Sequence, residues 1–196
     1  MRMIVWTIAA LALTAAPLTA QQPAKTLPKT PSKATPAAPA NPVAEALRSQ
    51  WNSVKNYYLK SAEEMPEANY GFKPTDKVRS FGEIIAHVAG ANYEICAGAR
   101  GEKPLYAEDY FEKNAKTKDD IVKAAKESVE YCDAAFKAAT DRNLGALVPA
   151  PFGPPKQARA SLLILNVGHV NEHYGNLVTY FRLKDMVPPS SQRSGS

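Results

Sequence analysis

From Asn41 onward, the strong start signals in this chain open helices and the strong stop signals close them. Asn41-Pro42 offers an N-cap followed by proline at the first helical position. Val43, Leu47, Trp51, Val54, Tyr58 and Ala62 then recur at helical spacing, which predicts a helix to about Glu64, ended by Pro66. Ser80-Phe-Gly-Glu83 has capping-box spacing and opens a second helix, closed by Gly98 to Gly101. Thr117-Lys-Asp-Asp120 repeats that spacing with Asp in place of Glu and opens a third, to about Ala139. The fourth runs from about Arg159 to Lys184, before Pro188 and Pro189. Between these lie an irregular aromatic segment (Glu67 to Pro74), a long connection (Glu102 to Lys116) and a rigid loop (Pro149 to Pro155). No segment alternates as a strand does. The expected fold is an all-α four-helix bundle.

The two cysteines constrain its topology. Cys96 lies about 16 residues into the second helix and Cys132 about 15 into the third. In antiparallel neighbours the two sulfurs would sit far apart in height. In parallel ones both lie roughly 21 to 24 Å along, at a rise of 1.5 Å per residue. The connection after Arg100 is long enough for a crossover, so the expected order is up-down-down-up with a Cys96–Cys132 disulfide. Such a bond stabilises by roughly 3 kcal/mol and does no chemistry. The alternative is two buried free thiols.

Composition excludes one class of partner. The formal charge is +5, but residues 1–42 carry Arg2, Lys25, Lys29 and Lys33 and no acid. The remainder holds 20 basic against 19 acidic residues, too even for a nucleic-acid-binding face. Those first residues read as targeting and tether. Arg2, the apolar run Met3 to Leu13 and the small residues Ala15 to Ala20 make a signal peptide over 1–20, cut before Gln21. The run is too short for a convincing transmembrane helix, so no stable membrane insertion is expected after cleavage. Residues 21–41 carry five prolines from Pro23 to Pro39 and read as a disordered Pro/Ala/Lys-rich linker. The folded domain is then 42–189, with a short tail over 190–196, in the periplasm or outside the cell.

The candidate chemistry rests on three histidines, His87, His169 and His173, the full complement of the chain. His169 and His173 stand four apart on a predicted helix, so both imidazoles share one face, one turn apart. In an up-down-down-up bundle the second and fourth helices are antiparallel, and His87 comes within roughly 6 Å of the height of His173. Three imidazoles make a divalent-metal site with an open position, and imidazole suits zinc, nickel and iron alike. Glu172 and Glu83 are weaker candidates, as general base or as a group orienting a ligand. Tyr58, Tyr93 and Tyr180 could line a pocket, although core packing accounts for each.

The stretch from about 43 to 189 resembles the DinB-like family of metal-binding four-helix proteins. The resemblance lies in Trp51, in Glu67-Ala-Asn-Tyr70-Gly-Phe72-Lys-Pro74, in Arg79-Ser-Phe81-Gly-Glu-Ile-Ile-Ala-His87, and in the histidine pair followed by Tyr174-Gly-Asn-Leu177. It implies the same topology, a metal held by His87, His169 and His173 (zinc or nickel before iron), and often a homodimer. Some relatives transfer low-molecular-weight thiols to electrophiles, whereas an exported member would sit away from a cytoplasmic thiol cofactor.

Two functional readings follow. A cation with three neutral ligands and an open position lowers the pKa of a bound thiol or water, which makes a transferase or a hydrolase acting on a small molecule. In the alternative, the metal is structural and the chain is a non-enzymatic secreted binding or interaction module. His169-Val-Asn-Glu172-His173 also matches the pattern of inverted zinc peptidases, but those need a further downstream ligand and only 23 residues remain.

Overall fold

The computed structural model describes residues 40–192. The expected signal segment, most of the linker and the last four residues lie outside them. Four long helices form the bundle: α1 (Pro42–Glu64), α2 (Phe81–Arg100), α4 (Lys118–Ala138) and α5 (Arg159–Arg182). A five-residue helix α3 (Tyr110–Asn114) interrupts the connection after α2. A small antiparallel hairpin, β1 (Leu147–Pro149) with β2 (Lys156–Ala158), precedes α5. Neither short element is legible as periodicity, because three to five residues do not complete a pattern.

Contacts between the helices fix their directions. Gly82 lies against Ile121, Asn92 donates to Ser128 (3.2 Å), and Cys96 is bonded to Cys132, so α2 and α4 run parallel. The Cα–Cα separation of that disulfide is 5.3 Å, in the ordinary range. The Lys118 ammonium at the start of α4 donates to the Glu63 and Met65 carbonyls at the end of α1, which makes that pair antiparallel. Arg159 Nε donates to the Ala99 carbonyl (2.8 Å) and Tyr180 Oη to the Arg79 carbonyl (2.5 Å), so α2 and α5 are antiparallel as well. The order is up-down-down-up.

α2 is the central helix. It is apolar on nearly every side, and only Glu83, Glu94 and Arg100 escape full burial. A helix of that composition must be enclosed, and here α4, α5 and α3 enclose it. Elsewhere Trp51 stacks on Phe136 with ring centroids 4.8 Å apart, and Phe81 meets Phe181 edge-on. Each such buried ring contributes about 1.5–3 kcal/mol.

Both predicted capping boxes are present, at Ser80/Glu83 and Thr117/Asp120. The start of α1 differs from expectation. The Asn41 side chain does not cap its own helix; Asp141, distant in sequence, accepts from the Val43 and Ala44 amides (3.3 and 2.8 Å). Asn41 Oδ1 instead accepts from the Asp141 amide, so the two residues exchange roles across the bundle end. A charged cap also suits the positive end of the helix better than an amide. Beyond α5, a turn at Pro189–Ser191 packs beside α1, and the Ser190 amide donates to Tyr174 Oη. Among the described residues, no helix is long and apolar enough to cross a membrane.

Candidate metal centre

His87 lies two turns into α2, and its height is set by the cap below it. The Ser80 amide donates to Glu83 Oε2 (2.6 Å) and the Glu83 amide to Ser80 Oγ (3.3 Å). On α5, His169 and His173 face α2 one turn apart. One donor nitrogen from each of the three imidazoles falls within a group no more than 4.8 Å across. His87 Nε2 and His169 Nε2 are 3.2 Å apart, and the three ring centroids are separated by 4.5 to 5.1 Å. The up-down-down-up geometry thus brings together all three predicted ligands.

Burial and mutual repulsion keep two of them neutral. The His169 imidazole is pushed down to about 3, by burial first and then by His173, His87 and Arg79. That of His173 falls to about 4, again by burial first, then His87, with Arg79 adding and Glu172 and Glu112 opposing. Neutral imidazole is the form that binds a cation. Nδ1 of both residues is buried without a hydrogen-bond partner. Buried polar atoms left unpaired cost about 1–3 kcal/mol each, so both imidazoles keep hydrogen-bonding capacity that the described residues leave unused. One nitrogen from each of three imidazoles within 4.8 Å of the others fits a divalent cation of the kind imidazole prefers.

Two carboxylates that sequence reasoning did not single out complete the surroundings. Glu112, on α3, has Oε1 3.0 Å from His87 Nδ1 and also accepts from Arg79 Nε (2.8 Å). A carboxylate gripped by Arg only accepts, so the Nδ1 proton is assigned to His87 and its Nε2 lone pair faces the cluster. This is the carboxylate–histidine arrangement that orients metal ligands. Glu108, in the loop before α3, has Oε1 3.6 Å from His87 Nε2. Of the sequence candidates, the Glu83 carboxylate is engaged by its cap and by Lys73 (3.1 Å). Glu172 is exposed and acts on His173 as a nearby charge.

A cleft of about 480 Å3 opens beside His173, walled by Thr75, Lys77, Arg79, Ile84, Asn176 and Tyr180. Tyr180 therefore does border a pocket. Tyr58 instead donates to the Ile85 carbonyl, and Tyr93 packs among Tyr106, Phe111 and Tyr131.

The depressed histidines carry a stability signature for the metal-free protein. Unfolded imidazoles titrate near 6.5, so below that pH the unfolded chain takes up protons that the folded one refuses until about 4 and about 3. Stability from this source is complete above pH 6.5 and falls as pH drops toward 4. At pH 5 His169 should account for about 2 kcal/mol, and His173, which solvent screens more, for less. Urea unfolding of metal-free protein at pH 7.5 and pH 5 measures this; equal stabilities at the two would contradict it. The Glu83 carboxyl, held low by the Ser80 amide, and the Asp120 carboxyl, held low by the Thr117 hydroxyl, add their losses only further down, in the carboxylate range.

Comparison with known proteins agrees with this architecture. Residues 50–177 match the family model of the DinB superfamily. A DinB-like protein from Bacillus subtilis superposes with a TM-score of 0.57 at 23% identity, over 76% of this chain and 99% of that one. A DinB-like protein from Bacillus cereus gives 0.63 at 15% identity, over 74% and 95%. The mycothiol-dependent maleylpyruvate isomerase gives 0.56 at 17% identity, over 68% of this chain and 60% of that one. No curated protein matches the sequence. With the family model spanning most of the bundle and the three histidines clustered inside it, the chain belongs to the DinB superfamily.

Proposed function

We propose that this chain is an exported metal-dependent enzyme that transfers a small thiol to an electrophile or hydrolyses a small substrate, with His87, His169 and His173 as metal ligands. The observation that carries the reading is the convergence of three imidazoles, two of them held neutral and one, His173, lining an open cleft. Zinc or nickel is the expected ion, with iron as the third choice. When bound, such an ion supplies a Lewis-acid position at which a thiol or water loses its proton near neutral pH.

The remaining roles belong to the chain itself. Glu112 fixes the tautomer and ring orientation of His87, and Arg79 fixes Glu112 in turn. Tyr180 holds the Arg79 backbone, so the cleft wall and the ligand shell are one connected unit. The cleft offers Lys77, Thr75, Asn176 and Thr179 as polar groups to orient a small molecule. One structural neighbour bears the name mycothiol-dependent maleylpyruvate isomerase, which supports the thiol-transfer reading. A purely structural metal would need no such cleft beside a ligand.

The test is turnover by metal-loaded protein against the metal-free form. One assay pairs small thiols with an aromatic halide; the other uses activated esters. Metal-dependent turnover in either, lost in His173→Ala, is expected. Protein that holds its ion yet turns over neither class would leave the structural-metal reading.

A further inference from the structure

The loop before α3 delivers a carboxylate to the metal centre by an unusual backbone approach. A Cβ placed on Gly90 would lie 1.9 Å from the Glu108 carbonyl oxygen and 2.6 Å from its carbon. Only glycine at this position lets the loop backbone rest directly on α2, one turn beyond His87. The Glu108 side chain then folds back, and its Oε1 reaches 3.6 Å from His87 Nε2. His87 Nδ1 already faces Glu112, so His87 Nε2 is the ring nitrogen that meets both His169 Nε2 (3.2 Å) and Glu108 Oε1 (3.6 Å).

We infer that Glu108 is a fourth, exchangeable protein ligand of the metal held by His87, His169 and His173. The inference rests on the three-imidazole site proposed above. Its physical basis is the fate of Glu108 once a cation sits on His87 Nε2. Among the described residues that nitrogen is the group at salt-bridge distance from Glu108 Oε1 (3.6 Å), and coordination occupies it. The carboxylate is then left beside a doubly charged ion, and direct ligation is the strongest contact open to it. Glu108 stands outside the compact imidazole group and its side chain is 39% exposed, so it can swing onto the ion and off again. An anionic oxygen held there would compete with water for the ion and would be displaceable by a softer donor such as a thiolate.

Zinc affinity by chelator competition and the visible spectrum of the cobalt(II)-loaded full chain test this without any activity assay. Glu108→Ala, and Glu108→Gln as the variant of unchanged shape, should each weaken zinc binding by at least about tenfold. Both should also alter the cobalt ligand-field bands. Wild-type affinity with an unchanged cobalt spectrum in both variants would overturn the inference. If His173→Ala lost the ion in that same series, the three-imidazole site would still stand. Wild-type protein that takes up neither ion would overturn both together.

Discussion

Replacing His169 by alanine is expected to weaken zinc binding by about a thousandfold while leaving the helices intact. Structural zinc sites with four donors bind with about 10–16 kcal/mol, so one donor is worth about 2.5–4, the upper end being about a thousandfold. The remaining pair, His87 and His173, would still hold an ion, but weakly. The variant also separates metal binding from folding. His169 Nδ1 is buried and unpaired, so its removal relieves a cost in the metal-free state. Metal-free His169→Ala should therefore melt no lower than metal-free wild type. Wild type should gain about 2.7 kcal/mol at free metal one hundred times its dissociation constant, and the variant almost none at that concentration. Calorimetric titration with thermal denaturation reads both effects. Tight one-to-one binding by the variant would show that His169 is not a ligand.

Reduction of Cys96–Cys132 is expected to lower the melting temperature by about 10 °C. The bond spans 36 residues, which corresponds to about 4 kcal/mol of loop-closure entropy removed from the unfolded chain. For a domain of this size each kcal/mol shifts the midpoint by about 2–4 °C. Both cysteines are fully buried between α2 and α4, so a reductant should act slowly until the domain opens. Oxidised protein that yields two alkylatable thiols on denaturation, or a midpoint indifferent to reductant, would contradict the prediction.

The fold and the clustering of the three histidines are legible in the sequence for the same reason. Caps, helical periodicity and cysteine heights are local quantities, and a constant rise of 1.5 Å per residue turns them into positions along a bundle. That suffices to place His87 opposite the His169/His173 pair. The two acidic neighbours of His87 were not legible. Glu108 and Glu112 lie in the connection after α2, where no periodic pattern runs long enough to set their heights. Their approach depends on the bare backbone of Gly90, which reads in sequence as one more small residue of an apolar helix. The sequence signal that did exist was acidic residues in a connection leaving the His87 helix. Asp141 capping α1 was hidden in the same way, because its partner amides are 97 and 98 residues away. Glu83 illustrates the opposite case: its role was legible as the cap of α2, and that role engages its carboxylate.

The central claim is that three imidazoles hold one ion, and metal content tests it most directly. Untagged wild-type protein and His87→Ala would be measured side by side by elemental mass spectrometry after exposure to zinc and nickel and removal of free ions. Close to one ion per chain in wild type, and a small fraction of that in His87→Ala, is the predicted result. Folded wild-type protein that retains no ion, or a His87→Ala variant that retains one, would contradict it.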